Sequence, residues 1–255
     1  MIRGKDFYAV WNPAKRMWST DEQDVIDQVD DELRKYAEKY AKQEPDRYLN
    51  IRYMYDSDSG SIDKWHKYCQ SQMRERYKPL DEKIIFSNTE VSKRDYASKK
   101  LEYPLEEGDI SAYDELISTL YDESEREKLE WAIGAIISGD AKRIQKFIVL
   151  YGSAGSGKST ILNIVQMLFK GYYSLFDSKE LASSNNSFAL ESFKSNPLVS
   201  IQHDGDLSRI EDNTKLNSIV SHESMEINEK FKAKYTAKFN TFIFILSFKK
   251  AFFFL

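Results

Sequence analysis

The sequence predicts an α/β fold in which a parallel sheet is flanked by helices, preceded by a mainly helical N-terminal domain. Two short apolar runs, residues 146–151 and 241–246, have the composition of buried parallel strands. A glycine-rich loop and then an apolar segment with helical spacing follow the first run directly. The N-terminal third contains segments with apolar residues three or four positions apart, which is typical of amphipathic helices.

Composition and charge exclude several classes of protein. The hydrophobic share of the 255 residues is 41%, which is ordinary for a globular protein. The first residues lead into no long apolar stretch, so we expect no signal peptide, no membrane association and a cytoplasmic location. The lone cysteine, Cys69, fits a reducing compartment, and the histidines lack the spacing of zinc ligands. A net charge of −4 does not indicate nucleic-acid binding by the chain as a whole.

Residues 1–120 are predicted to form the mainly helical domain, with one small hairpin. Apolar residues flank Asn12-Pro13-Ala14-Lys15, in which the proline has the position that favours a tight turn. Thr20 and Gln23 match a capping box and predict the start of a long helix. Another helix is predicted over residues 62–77, and the segment that follows it is predicted to form short strands and loops.

Asp56 and Asp58 form a D-x-D pair of the kind that holds metal in nucleotidyl transferases. The third carboxylate and the histidine that such a site needs are not evident in the sequence. The following Ser59-Gly60-Ser61 indicates a turn. We therefore interpret the pair as part of a polar loop rather than as a primase site.

Two more helices are predicted before the first parallel strand. One covers residues 110–121 and starts from Ser111, and the next has a capping box formed by Ser124 and Glu127 and ends at Gly139. No flexible linker separates these helices from the strand. We place a boundary near residue 120, with a second domain over residues 121–255.

The loop after the first strand has the complete pattern G-x-x-x-x-G-K-S. Glycines allow consecutive backbone N–H groups to turn toward a polyphosphate, and the following helix adds its positive N-terminal dipole. Lys158 would then reach the β- and γ-phosphates of ATP, and the hydroxyl of Ser159 would bind Mg²⁺. The alternative is a glycine-rich turn that binds nothing, which the flanking strand and helix make the weaker interpretation. The predicted binding residues are Gly152, Ser153, Ala154, Gly155, Ser156, Gly157, Lys158, Ser159 and Thr160.

A second apolar run, residues 197–202, ends in two carboxylates, Asp204 and Asp206. Open α/β sheets bind ligands at the carboxyl ends of their strands, and phosphoryl transfer needs an acidic residue beside Mg²⁺. We predict Asp204 as the Mg²⁺ partner, with Asp206 either polarising water or replacing it as the ligand. His203 is interpreted as a hydrogen-bonded strand residue rather than a catalytic group.

Residues 229–238 are basic with interleaved aromatic side chains and are predicted to belong to a charged hairpin. Lys230, Phe231 and Lys232 could contact DNA, with lysines on phosphates and the ring on a sugar or base. The alternative is an exposed edge hairpin whose lysines discourage aggregation.

In four stretches the chain resembles the phage/plasmid primase–helicase family, whose motor is a superfamily 3 helicase of the AAA+ class. Gly152–Thr160 matches the Walker A motif of that family, and Val199–Asp206 resembles its Walker B strand. The helical segment from Tyr113 to Lys146 is similar to the family's lead-in to the motor. The segment from Lys215 to Lys234 is similar to its next motif, which ends in a basic hairpin.

The resemblance implies an ATP-driven DNA helicase that replicates phage or mobile-element DNA. Such motors form hexameric rings around single-stranded DNA, and each hairpin projects into the pore. It therefore implies ATP and Mg²⁺ as ligands, a homo-hexamer, contacts with other replication proteins, and the host cytoplasm as the location. Lys230, Phe231 and Lys232 would be the pore residues.

The chain departs from the family after residue 246. A polar sensor residue, usually asparagine, and an arginine finger are expected there, but Ser247, Phe248 and an apolar tail follow instead. The tail resembles a truncated end. Two alternatives therefore stay open: an AAA+ ATPase that loads or remodels replication proteins without unwinding, and a truncated, non-hydrolysing DNA-binding or interfering subunit.

Overall fold

A computed structural model describes residues 1–3, 8–55, 64, 71, 79–183, 189–205, 213–228 and 235–248. Contacts divide the chain into two compact units. The smaller unit contains residues 1–80 and 90–98, and the larger contains residues 81–89 and 99–255. No helix among the described residues is long and apolar enough to span a membrane.

The smaller unit contains the predicted hairpin, extended by a third short strand. The strands are antiparallel in the order β1-β2-β3. Trp18 is buried, stacks on Tyr96 at 6.1 Å between ring centroids, and donates its indole N–H to the carbonyl of Lys93 at 3.0 Å. The hairpin is thereby anchored to residues far along the chain. The strands are β1 (Ile2–Arg3), β2 (Tyr8–Asn12) and β3 (Met17–Ser19).

Two helices follow in the smaller unit, α1 (Glu22–Tyr40) and α2 (Pro45–Tyr55). The predicted cap at Thr20 is wrong, since the side chain of Asp21 caps α1 by accepting a hydrogen bond from the N–H of Gln23 at 2.9 Å. An aspartate one residue closer to the first turn provides the same acceptor, so the helix starts later. The helix predicted over residues 62–77 lies almost entirely outside the described residues.

Residues 79–110 contain neither a β-strand nor an α-helix, so the short strands predicted there are wrong. Single hydrogen bonds replace a ladder, as between the N–H of Leu101 and the carbonyl of Ile85 at 2.7 Å. One turn of 3₁₀ helix, Lys93–Asp95, lies in this part of the chain. Two others, Asp140–Arg143 and Glu191–Phe193, lie further along.

The predicted lead-in helices are present as α3 (Ser111–Leu120) and α4 (Glu123–Ser138). The cap of α4 is Asp122 rather than Ser124, and Gly139 ends the helix at a φ of 74° as predicted. Both helices lie in the larger unit. Contacts divide the two units at residues 80, 89 and 98, and Leu101 and Ile117 pack into the same core as the parallel sheet. The domain boundary near residue 120 stays a prediction.

The larger unit is built on a parallel sheet of four strands flanked by helices. The strand order is β4-β9-β6-β5, so β9, the last strand among the described residues, lies between the two strands that precede the predicted site residues. An antiparallel pair, β7 and β8, forms the predicted charged hairpin outside this sheet. The strands are β4 (Ile148–Tyr151), β5 (Tyr173–Leu175), β6 (Val199–Gln202), β7 (Met225–Ile227), β8 (Tyr235–Ala237) and β9 (Phe242–Ser247). The helices between them are α5 (Lys158–Leu168), α6 (Ser178–Ala182) and α7 (Thr214–Val220).

Strand β9 separates two hydrophobic clusters. Phe242, Phe244 and Leu246 belong to the cluster that contains α3, α4 and α5. Ile243 and Ile245 belong to the other, which contains α7 and the β7–β8 pair. Because side chains alternate across a strand, both faces of the sheet are covered, and all six residues of β9 are buried.

Candidate phosphate-binding site

The glycine-rich loop, residues 152–157, connects the carboxyl end of β4 to the first residue of α5 and is named the phosphate loop after its predicted ligand. Gly152, Gly155 and Gly157 have φ angles of 155°, 79° and 77°, in the region that residues with a β-carbon disfavour. A β-carbon on Gly152 would lie 3.0 Å from Oγ of Ser156 and 3.8 Å from Nζ of Lys158. The glycines therefore keep the inside of the loop open around the lysine.

Lys158 points into this loop, and its side chain is buried, with 4% of the residue exposed. Its ammonium group donates to the carbonyl oxygens of Gly152 at 2.9 Å and Ser153 at 2.5 Å, and to Oγ of Ser156 at 3.0 Å. A buried charge of this kind needs such partners, and all three come from the loop itself. The ammonium is thereby held where phosphate oxygens would replace the loop oxygens.

The first turn of α5 presents Ser159 and Thr160 to solvent. Gly157 is the N-cap, so the unpaired N–H groups and the positive dipole of this helix face the loop. An open glycine cradle, an inward lysine and exposed hydroxyl groups form the donor set that a magnesium–polyphosphate complex requires. The residues present therefore fit that ligand.

Leu120, at the end of α3, belongs to the loop's support and was not predicted from the sequence. A β-carbon on Gly157 would lie 2.4 Å from Cδ2 of Leu120. Glycine is therefore required at residue 157 by its φ angle and also by the close approach of α3. The helical lead-in and the phosphate loop form one packed structure.

An ionic cluster holds α3 against α4. The guanidinium of Arg126 donates to Asp114 at 2.6 Å and to Glu130 at 2.7 Å, and it lies 5.5 Å from the ring centroid of Tyr113. Tyr113 also donates its hydroxyl to Glu130 at 3.1 Å. Burial, and then the Glu130 carboxylate, raise the pKa of Tyr113 to about 12. The tyrosine therefore stays a neutral donor at physiological pH.

Asp204 is exposed and lies two residues after the end of β6. The N–H of Gly205 donates to the carbonyl of Leu246 on β9 at 2.8 Å, and Leu246 is paired with Leu150 on β4. Adjacent strands lie about 4.8 Å apart, so the backbone near Asp204 is roughly 10 Å from the end of β4. The structure thus places Asp204 on the same edge of the sheet as the phosphate loop, two strands away.

Several predicted site residues lie outside the described residues. They are Asp206 and the predicted hairpin-tip residues Lys230, Phe231 and Lys232. Asp56 and Asp58, which were interpreted as part of a polar loop, also lie outside the described residues. For the hairpin, the structure describes its two strands, with Ile227 paired with Tyr235.

Gln202, the last residue of β6, is buried and connects the acidic strand to α6, a role that the sequence did not indicate. Its Oε1 accepts the N–H of Ser178 at 3.2 Å. Its Nε2 donates to Oδ1 of Asp177 and to the carbonyl of Asp204, each at 3.4 Å. These contacts hold the backbone from which the Asp204 side chain projects.

His203 is hydrogen-bonded, as predicted, but it lies one residue beyond β6 rather than within the strand. Its Nε2 lies 2.6 Å from Nε2 of Gln166, on α5. Because the amide nitrogen donates, the imidazole nitrogen accepts. The contact ties the end of β6 to the helix that begins at the phosphate loop.

Phe248 is a further residue that the sequence did not indicate as part of the site. It follows β9 directly, and its ring centroid lies 4.9 Å from Nζ of Lys158. The residue is 53% exposed. An aromatic ring therefore contacts the cation that is expected to bind phosphate.

A model described as "Family of unknown function (DUF5906)" matches residues 150–252, which include the phosphate loop, β6 and β9. No curated protein matches the chain.

Solved structures of one protein region are similar to the chain at low identity. The apo structure of the NrS-1 C terminal region (305-718) is 17% identical with a TM-score of 0.43, and the match covers 57% of this chain and 35% of that one. The A form apo structure of that region is 15% identical with a TM-score of 0.48, covering 76% of this chain and 49% of that one. The chain thus spans half or less of the length of these structures.

Proposed function

We propose that the chain is the ATP-hydrolysing motor of a DNA helicase that replicates phage or mobile-element DNA. The observation that carries the proposal is the phosphate loop, in which Lys158 is buried among glycines with positive φ at the start of α5. The order of the Walker-like strand, the acidic strand and the basic hairpin along the chain supports the superfamily 3 assignment. The proposed location is the host cytoplasm.

The residues of the loop would hold ATP through its phosphates. Lys158 would exchange its loop oxygens for β- and γ-phosphate oxygens, and the N–H groups at the start of α5 would donate to them. Ser159 and Asp204 would hold Mg²⁺, directly or through water, with Asp206 as the alternative ligand or as the group that polarises the attacking water. Bound Mg²⁺ supplies charge neutralisation on the phosphates.

DNA is proposed to contact the tip of the β7–β8 hairpin. Lys230 and Lys232 would bind phosphates and Phe231 would press on a sugar or base, as a single-strand groove requires. Six copies in a ring would place six tips around one strand, and weak contacts would add through effective concentration. Other replication proteins are proposed as further partners of this ring.

A second candidate function is a subunit that binds nucleotide and DNA without hydrolysis. The contact of Phe248 with Lys158 favours it, because an aromatic ring offers no donor to a transferring phosphoryl group. The AAA+ loader or remodeller uses the same site, and strand-separation assays distinguish it from a helicase.

Nucleotide binding is tested by titrating fluorescent ATP with Mg²⁺ into the wild type and Lys158→Ala. Loss of a charge-assisted contact should weaken binding by at least about tenfold. Lys170→Ala is the matched control, since Lys170 follows the far end of α5 and pairs with Glu102 at 3.4 Å. Equal affinity of the wild type and Lys158→Ala would overturn the proposal.

DNA binding is tested with the double variant Lys230→Ala/Lys232→Ala over a salt series on unrelated single strands. Removing phosphate contacts should weaken all sequences about equally and flatten the logarithmic salt slope by roughly one to two units. ATP affinity should not change. A double variant that assembles and binds like the wild type at every salt concentration supports the edge-hairpin interpretation instead.

A further inference from the structure

Phe248 follows the carboxyl end of β9 and lies beside the phosphate loop. Strand β9 is in parallel register with β4, and its last residue, Ser247, pairs with Tyr151, the last residue before the loop. Phe248 is the next residue and emerges beside the loop rather than into the core. Its exposure of 53% contrasts with the complete burial of β9.

The ring of Phe248 completes the surroundings of the Lys158 ammonium group. An ammonium has three N–H donors, and three loop oxygens lie within 3.0 Å of Nζ. The ring centroid, at 4.9 Å, is within the range of about 6 Å for a cation–π contact. The contacts of the lysine's ammonium group are therefore provided by its own loop and by one aromatic face.

The same contacts oppose phosphate binding. A polyphosphate can bind the ammonium only if N–H groups turn away from the loop oxygens. The face of an aromatic ring is electron-rich, so it attracts the cation but repels phosphate oxygens. Half of the Phe248 side chain already faces solvent, so the ring can move away without opening the core.

We propose that Phe248 is a gate on the phosphate loop: its ring covers the Lys158 ammonium and is displaced when polyphosphate binds. The inference rests on the proposed nucleotide binding by this loop. The gate lowers the affinity for polyphosphate, and its effect does not depend on the adenine base of the nucleotide.

The first experiment measures binding of Mg·ATP and of inorganic tripolyphosphate by calorimetry, with Phe248→Ala, Phe248→Leu and the wild type. Removing the cation–π contact should tighten both ligands about two- to fivefold. Phe248→Leu keeps an apolar side chain but lacks the aromatic face, so it should gain affinity as well. Leu175→Ala is the matched control, because Leu175 ends β5 and is equally exposed, at 53%. Unchanged affinity in both Phe248 variants, or a gain that Leu175→Ala shares, would overturn the gate.

The second experiment needs no nucleotide and separates the gate from the proposed function. Amine acylation of the ligand-free protein is followed at Lys158 by peptide mass spectrometry. Lys158 should react faster in Phe248→Ala than in the wild type, whereas Lys170 should react equally in both. If no variant binds ATP but Lys158 is acylated faster in Phe248→Ala, the proposed nucleotide binding is wrong, whereas the contact of the Phe248 ring with Lys158 is supported. An unchanged Lys158 rate overturns the gate even if ATP binds.

Discussion

The carboxyl ends of β4 and β6 lie on either side of β9 and are held in place by different kinds of contact. After β4, the three oxygens that bind the Lys158 ammonium come from residues at most six positions away. At the end of β6, Gln202 is held by groups 24 and 25 residues away, and His203 by a group 37 residues away. The hydrogen bonds of Lys158 are therefore local, whereas those at the end of β6 depend on several packed elements.

The largest expected effect is on turnover at the β6 end. Asp204→Asn keeps the size of the side chain and removes the charge that is proposed to hold Mg²⁺, so ATP hydrolysis should fall by about 10²- to 10³-fold, as for loss of other transition-state charge contacts. Nucleotide affinity should largely persist, because the phosphate loop is intact. Steady-state ATPase assays beside fluorescent-ATP titration measure the two separately.

Asp206→Asn is the matched comparison for Asp204→Asn. If Asp206→Asn loses turnover while Asp204→Asn retains it, the roles of the two carboxylates are reversed.

The next largest effect shows whether residues outside the phosphate loop constrain its conformation. Gly157→Ala combines a φ of 77° with a β-carbon 2.4 Å from Leu120, and we expect a loss of about 2–3 kcal/mol in the free energy of unfolding. Gly155→Ala has the same backbone strain, at 79°, but nothing within 4 Å of its β-carbon, so it should lose only about 1 kcal/mol. Urea denaturation of both variants gives the difference.

Shortening the partner side chain shows whether α3 is the cause of that difference. In a Leu120→Ala background, Gly157→Ala should lower the free energy of unfolding by no more than Gly155→Ala lowers it in the wild type. If the two glycine variants are equally destabilised in the wild-type background, the loop is purely local and the contact with α3 is unimportant.

The smallest expected effect is on the stability of the contacts at the carboxyl end of β6. Gln202→Leu is similar in size but leaves the buried N–H of Ser178 without its acceptor, which should cost about 1–2 kcal/mol in thermal or urea unfolding. Gln166→Leu, which removes the partner of His203 but not the contacts of Gln202, is the companion variant. An unchanged stability of Gln202→Leu would show that α6 and β6 are held together by other contacts.

The strands were predictable because parallel strands buried on both faces are continuous apolar runs, and residues 241–246 became β9 almost as expected. The caps at Thr20 and Ser124 were not, because an aspartate competes at Asp21 and at Asp122 and the sequence offers several acceptors in a row. The order of the strands was also beyond sequence reasoning, since nothing in β9 shows that it inserts between β4 and β6.

By itself, the sequence determined the phosphate loop: its glycines set the backbone, and its lysine finds its partners within the loop. It also determined the buried strands and the position of Asp204 after one of them. Only the tertiary structure decided that Leu120 packs on Gly157, that Gln202 holds the acidic end, and that Phe248 covers Lys158. The physical reason is the separation along the chain of the residues that make contact. Backbone conformation and short loops follow from neighbouring residues, whereas these three contacts join segments 24 to 90 positions apart and exist only once the sheet has assembled in its register.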